Sequence, residues 1–108
     1  MSYSLEDTVR LNQLFDLYQE LLTDKQREYF LYYFSEDYSL SEIADISKVS
    51  RNAVHLQIKN IINHLEEFES KLKLLEIKTL QNQLIDLLKE QSLSSDIAAI
   101  IKKIEKVK

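Results

Sequence analysis

Ser50, Arg51, Asn52, His55, Leu56, Lys59 and Asn63 fall within one short stretch, SRNAVHLQIKNIIN (residues 50–63). An asparagine amide donates and accepts at once, which suits the paired edge of an adenine, while a leucine can touch a thymine methyl. Arginine and lysine supply charge for phosphates, and a serine beside free helix amides can add a neutral phosphate contact. If Val54, Ile58, Ile61 and Leu65 point inward on a helix, the residues facing directly outward are Asn52, Leu56, Lys59 and Asn63. With Lys48 just upstream, the candidate set is Lys48, Ser50, Arg51, Asn52, His55, Leu56, Lys59 and Asn63. In this set Lys48, Arg51 and Lys59 would meet phosphates, and Asn52 and Leu56 would meet bases.

Other chemistries find less support. His55 and His64 are nine residues apart, which is not the spacing of a helical metal pair. The chain has no cysteine, so thiolate metal sites and disulfides are excluded. It has no glycine, hence no glycine-rich phosphate loop, and no nucleophile with an evident base. Glu66, Glu67 and Glu69 read as a solvated face. No catalytic residue, metal or cofactor is expected, and the chain does not read as an enzyme. The run EYFLYYF (residues 28–34) could stack single-stranded bases. Its neighbours are mixed in sign, so the preferred reading puts Phe30 and Phe34 in the core, with some tyrosine hydroxyls reaching water.

The elements that would carry these residues are all helical, since glycine and proline are both absent. A first amphipathic helix is expected over residues 5–22, with Leu5, Val9, Leu11, Leu14, Phe15, Leu17, Tyr18, Leu21 and Leu22 on one side. Thr23 with Gln26, and Ser39 with Glu42, have the form of capping boxes, opening a second helix to about Ser35 and a third to about Ser47. Ser50 caps a fourth, the longest, whose inward face continues to Phe68 and Leu72. Leu75, Leu80, Leu84, Leu87 and Leu88 mark a fifth helix. Ser94 or Ser95 caps a sixth, striped by Ile97, Ile100, Ile101, Ile104 and Val107.

At 108 residues and 44% apolar, the sequence has the size and composition of one ordinary globular protein. Net charge is −4, and it is −3 over residues 1–22, −1 over 23–65 and zero over 66–108. No segment has the basic surplus that makes phosphate binding an easy inference. No apolar run approaches a membrane span and no signal pattern opens the chain, so a cytoplasmic protein is expected.

Residues 41–61 fill the roles of a helix-turn-helix. Ala44 is the small residue allowing close packing, Ile43 faces inward, Val49 is placed to be buried in the turn, Ser50 caps, and Val54 and Ile58 hold the second helix. Glycine commonly occupies the position four after Ala44; Lys48 stands there, at a cost of about 1 kcal/mol in the left-handed region. The stretch LTDKQREYFLYYFSEDYSLSEIADISKVSRNAVHLQIKNI (residues 22–61) resembles the fourth region of bacterial sigma factors. It departs from that pattern after Val54, where His55, Leu56 and Gln57 replace the usual arginines. Residues 1–75 resemble more closely the YlxM-like family of small bacterial proteins, with SLSEIA and VSRNAV the most specific pieces. The resemblance implies an all-α helix-turn-helix protein like sigma region 4. It would have a core of three or four helices, no wing, and a C-terminal helical extension. It also implies a link to the signal recognition particle pathway, inferred from gene neighbourhood.

The expected organisation is a helix-turn-helix domain over residues 1–75, its recognition helix starting at Arg51, and an extension over 76–108 for packing or dimerisation. The first functional reading is a homodimeric regulator that binds duplex DNA. The alternative is an adaptor that keeps the fold but binds protein or RNA among signal recognition particle components. Leu56 on the outer face and the acidic first helix motivate it.

Overall fold

Five hydroxyls start five of the six helices. Ser4, Thr23, Ser39, Ser50 and Ser94 each accept from the amide three residues on, at 3.0–3.3 Å. Gln26 and Glu42 reciprocate to the Thr23 and Ser39 amides, so both expected capping boxes close. The computed structural model describes residues 3–107. It is all-α: α1 (Leu5–Tyr18), α2 (Asp24–Phe34), α3 (Leu40–Ser47), α4 (Arg51–Leu72), α5 (Leu74–Lys89) and α6 (Ser95–Lys106). These divide into two compact units, Met1–Leu75 and Glu76–Lys108.

Without glycine, the tight reversals fall to polar residues. Asp37, Lys48 and Lys73 take left-handed backbone, with φ of 59°, 57° and 55°. Lys48 thereby ends α3 and brings the Val49 amide back to the Ala44 carbonyl at 3.1 Å. Left-handed backbone disfavours a residue with a Cβ, so Lys48→Gly should raise unfolding free energy by about 0.5–1 kcal/mol. A higher urea midpoint with an unchanged slope would register it. No gain would mean that the lysine carries no strain there.

α1 stops four residues short of expectation. After Tyr18 the chain tightens into a 3-10 turn (Gln19–Leu21) and becomes extended at Leu22, ready for the Thr23 cap. The Arg27 guanidinium donates to the carbonyls of Gln19 and Leu22, both at 2.9 Å, satisfying groups that the broken helix leaves open. Leu5, Val9 and Leu21, expected inside, are exposed.

The first unit's core joins Leu11, Leu14, Phe15 and Tyr18 of α1, Tyr29 and Phe30 of α2, Leu40, Ile43 and Ala44 of α3, and Val54, Ile58, Ile61 and Leu65 of α4. The aromatic run is core: Tyr29 and Phe30 are buried, while Tyr32, Tyr33 and Phe34 are half-buried against them. Arg10 forks onto Glu66 at 3.0 and 2.9 Å, linking α1 to α4. Both side chains are nearly half exposed, so this pair contributes little.

Glu69 corrects the expected solvated face. Glu67 is exposed and pairs with Lys71 at 2.9 Å, but Glu69 is buried. The reason is periodicity: it lies four residues past Leu65 and eight past Ile61, on the same inward stripe. Its Oε1 accepts from the Tyr18 hydroxyl at 2.6 Å and from the Leu75 amide at 3.0 Å, while the Leu74 amide donates to that hydroxyl at 3.0 Å. Two side chains thus cap the first amides of α5.

In the second unit Ile85 and Ile101 are buried and Leu88 is half-buried. Ile85 was not among the positions expected to mark this helix. Lys89 meets Glu105 at 3.2 Å across the α5–α6 pair. Most of the expected isoleucine stripe stays outside, namely Ile97, Ile100, Ile104 and Val107. Among the described residues no helix is long and apolar enough to cross a membrane.

Candidate nucleic-acid interface

The α3–α4 corner is assembled from small and branched apolar residues. Ala44 lets the two helices approach, with Ile43 on one side and Val54 and Ile58 on the other, all buried. Ser50 takes extended backbone and its hydroxyl accepts from the Ala53 amide at 3.0 Å, while its carbonyl accepts from Val54. Val49 departs from expectation, at 42% exposed rather than buried in the turn. The corner closes through its backbone and through Leu40, Ile43, Ala44 and Val54, leaving no interior place for that side chain.

This corner fixes where each candidate stands. Lys48, Ser50, Arg51, Asn52, Leu56, Lys59 and Asn63 are exposed, and His55 is half-buried on the flank. Around the axis, Asn52, Leu56, Lys59 and Asn63 fall within about 60° of one another, at 3.6 residues per turn. Along the axis they span about 16 Å, a length that a major groove can admit. Arg51 and Lys48 lie at the N-terminal end, beside the first amides of α4.

The sequence interval that carries this face is free of acids in a way that the segment totals conceal. Residues 46–65 contain no acid, although the chain has 18, and they carry Lys48, Arg51 and Lys59. The next acids in sequence are Asp45 and Glu66, and Glu66 is engaged by Arg10. All six acids of residues 23–65 lie before residue 46, on α2, on α3 and in the loop between them. Asn60, exposed one position beyond Lys59, widens the polar face and was not among the candidates.

A concavity in the first unit, about 390 Å³, is lined by Tyr3, Tyr33, Phe34 and Tyr38, with Asp37 and Glu42 at its polar side. No base lines it, so phosphate is repelled where the exposed aromatic edges would have to stack. Among the described residues no group of three His, Asp or Glu side chains could hold a metal ion.

Comparison with known proteins agrees with this architecture. A family model described as "UPF0122: Putative helix-turn-helix protein, YlxM / p13 like" matches residues 5–107. A UPF0122 protein of Exiguobacterium sp. is 47% identical over 103 residues, covering 94% of this chain and 96% of that protein. UPF0122 protein YlxM of Bacillus subtilis is 44% identical over 108 residues, covering 96% and 98%. A UPF0122 protein of Geobacillus sp. is 49% identical over 86 residues, covering 80% and 78%.

Proposed function

The chain belongs to the UPF0122 helix-turn-helix family, and from that premise we propose that it is a regulator that lays α4 in the major groove of duplex DNA. The observation that carries this reading is the acid-free interval 46–65, which surrounds the outward stripe Asn52, Leu56, Lys59 and Asn63 with Lys48 and Arg51. In the groove, Asn52 pairs with an adenine edge and Leu56 covers a thymine methyl. Lys48, Arg51 and Lys59 meet phosphates, and Ser50 with the α4 amides adds a contact along the helix dipole. His55 lies beside the groove wall, and Asn63 reaches the far end of the footprint. A link to the signal recognition particle pathway is part of this reading, as the resemblance to the family implies.

Gel retardation with genomic duplex fragments at rising salt tests this. Affinity should fall steeply with salt, and Arg51→Ala or Lys59→Ala should each flatten the logarithmic slope by about one. Asn52→Ala should instead relax preference at a single base pair, by about 1–3 kcal/mol of discrimination. Absence of retardation at low salt removes the proposal.

A second reading is favoured by Leu56, 51% exposed, and by the exposed acids Glu6, Asp7 and Asp16 on α1 and Glu20 in the turn that follows it. It is an adaptor whose acidic helix meets a basic protein or ribonucleoprotein surface of the signal recognition particle. Recovery of those components by the tagged chain after nuclease treatment would support it; their loss on nuclease treatment would count against it.

A further inference from the structure

We infer that the α5–α6 unit is a self-association surface, occupied by the same unit of a second copy to form a four-helix bundle. This goes beyond DNA binding and does not depend on it. The unit cannot bury what it carries. Among its described residues, Ile85 and Ile101 are the buried ones. So small a core is far below what holds a helical pair together in water.

What it leaves outside has a repeat. On α5 the exposed residues Ile77, Leu80, Leu84 and Leu87 follow steps of three, four and three. On α6, Ile97, Ile100 and Ile104 take the first two of these steps, three and four. That alternation is the spacing of a knobs-into-holes seam between helices. Leu84, Ile97, Ile100 and Ile104 of these seams also edge the apolar groove between the two helices, beside the buried Ile85 and Ile101, and stay exposed there. The pair thus leaves its groove-edge residues, and Ile77, Leu80 and Leu87 of α5, uncovered for helices of like pattern to meet, as in bundles.

Area and charge choose a second copy as the occupant. Seven of these side chains stand about half out, which at roughly 100 Å² of apolar surface per aliphatic side chain amounts to about 350 Å². Homodimer interfaces are about 65% apolar, so this patch supports about 550 Å² per copy, or about 1,100 Å² in all, above the roughly 1,000 Å² of a specific contact and just under the roughly 1,200 Å² where standard interfaces begin. Residues 76–107 hold five acids and five bases, so two copies meet without net repulsion, and no strongly charged partner is selected. A two-fold pairing also gives each seam an identical one to meet.

Sedimentation equilibrium of the full chain, without nucleic acid, tests this separately from any failure of DNA binding. The expected mass is twice the 12.8 kDa of one chain. Leu84→Glu and Ile100→Glu, at positions 58% and 54% exposed, should each weaken the pair by more than about a hundredfold while helicity is kept. Leu56→Glu, on the α4 face, should leave the mass unchanged. A wild-type monomer at high micromolar concentration overturns the inference, as does a Leu84→Glu chain that remains dimeric. Should Leu84→Glu lose helicity, Leu84→Ala takes its place: a dissociation constant raised by about tenfold supports the pairing, and an unchanged one overturns it.

Discussion

Tyr18→Phe should lower the unfolding free energy by about 3 kcal/mol, far more than the loss of one surface hydroxyl. The tyrosine is 1% exposed, and its hydroxyl serves two partners at once, donating to Glu69 and accepting from the Leu74 amide. Phenylalanine keeps the ring packing but takes a donor from a buried carboxylate and an acceptor from a helix-terminal amide. Hydrogen bonds to charged groups contribute about 1.5–3 kcal/mol, and the part-buried Leu74 amide left open adds less than the roughly 1–3 kcal/mol of a fully buried one. Urea unfolding followed by circular dichroism reads the difference. A loss below about 1 kcal/mol would show that water or a neighbour replaces the hydroxyl, and the capping account of α5 would fail. Because the two side chains act on one network, Tyr18→Phe combined with Glu69→Leu should cost less than the two single losses together.

The same hydroxyl gives stability a pH dependence with a definite sign. Burial pushes the Tyr18 phenol above its usual 10.0, its hydrogen bond to Glu69 adds to the rise, and the Leu74 amide opposes it. A group raised in the folded state favours its protonated form there. Its contribution is complete below the unfolded phenol value near 10 and is lost as pH climbs through the folded value. Tyr3 and Tyr32 are raised too, Tyr3 mainly by burial and Tyr32 mainly by its hydrogen bond to Glu28. Tyr18's own share is therefore the part of the alkaline loss that disappears in Tyr18→Phe.

Glu69 also shows what the sequence made legible and what it hid. Stepping by four from Ile61 through Leu65 reaches residue 69, so periodicity alone places it inside. Chemistry argued the other way, because a carboxylate is seldom buried without partners. Those partners, the Tyr18 hydroxyl and the Leu75 amide, come from far along the chain or from backbone that no side-chain pattern displays. Caps were readable because Thr23–Gln26 and Ser39–Glu42 satisfy each other locally. The left-handed turn at Lys48 was readable from the spacing to Ala44. Val49 was not, since the depth of a turn residue depends on how closely two helices approach. On the candidate face, outward directions followed from the inward stripe of α4. The acid-free interval was equally present in the letters, but totals taken over 43 residues averaged it away.

Phe30→Ala should be the most damaging single truncation considered, at about 3–5 kcal/mol. Phe30 is 1% exposed and stacks on Phe15 at 4.2 Å between ring centroids, with Phe34 tilted against it at 4.6 Å. Removing the ring loses its transfer free energy and opens a cavity between α1 and α2. The neighbours are rigid rings, so that cavity collapses poorly. Tyr32→Ala offers the contrast within the same run, for Tyr32 is half-buried and its hydroxyl bonds Glu28 on its own helix. It should cost about 1 kcal/mol, the ordinary effect of a partly exposed substitution. The pair also separates a core from a stacking platform. If the run packs the fold, Phe30→Ala lowers the urea midpoint sharply, while single-strand affinity measured per folded molecule stays where it was. If the run instead stacks bases, Tyr32→Ala reduces that affinity at full stability, because an accessible ring contributes about 1–3 kcal/mol per stacked base. The acids lining the neighbouring concavity favour the first outcome, since a strand would have to bring its phosphates against Asp37 and Glu42 to reach the tyrosines.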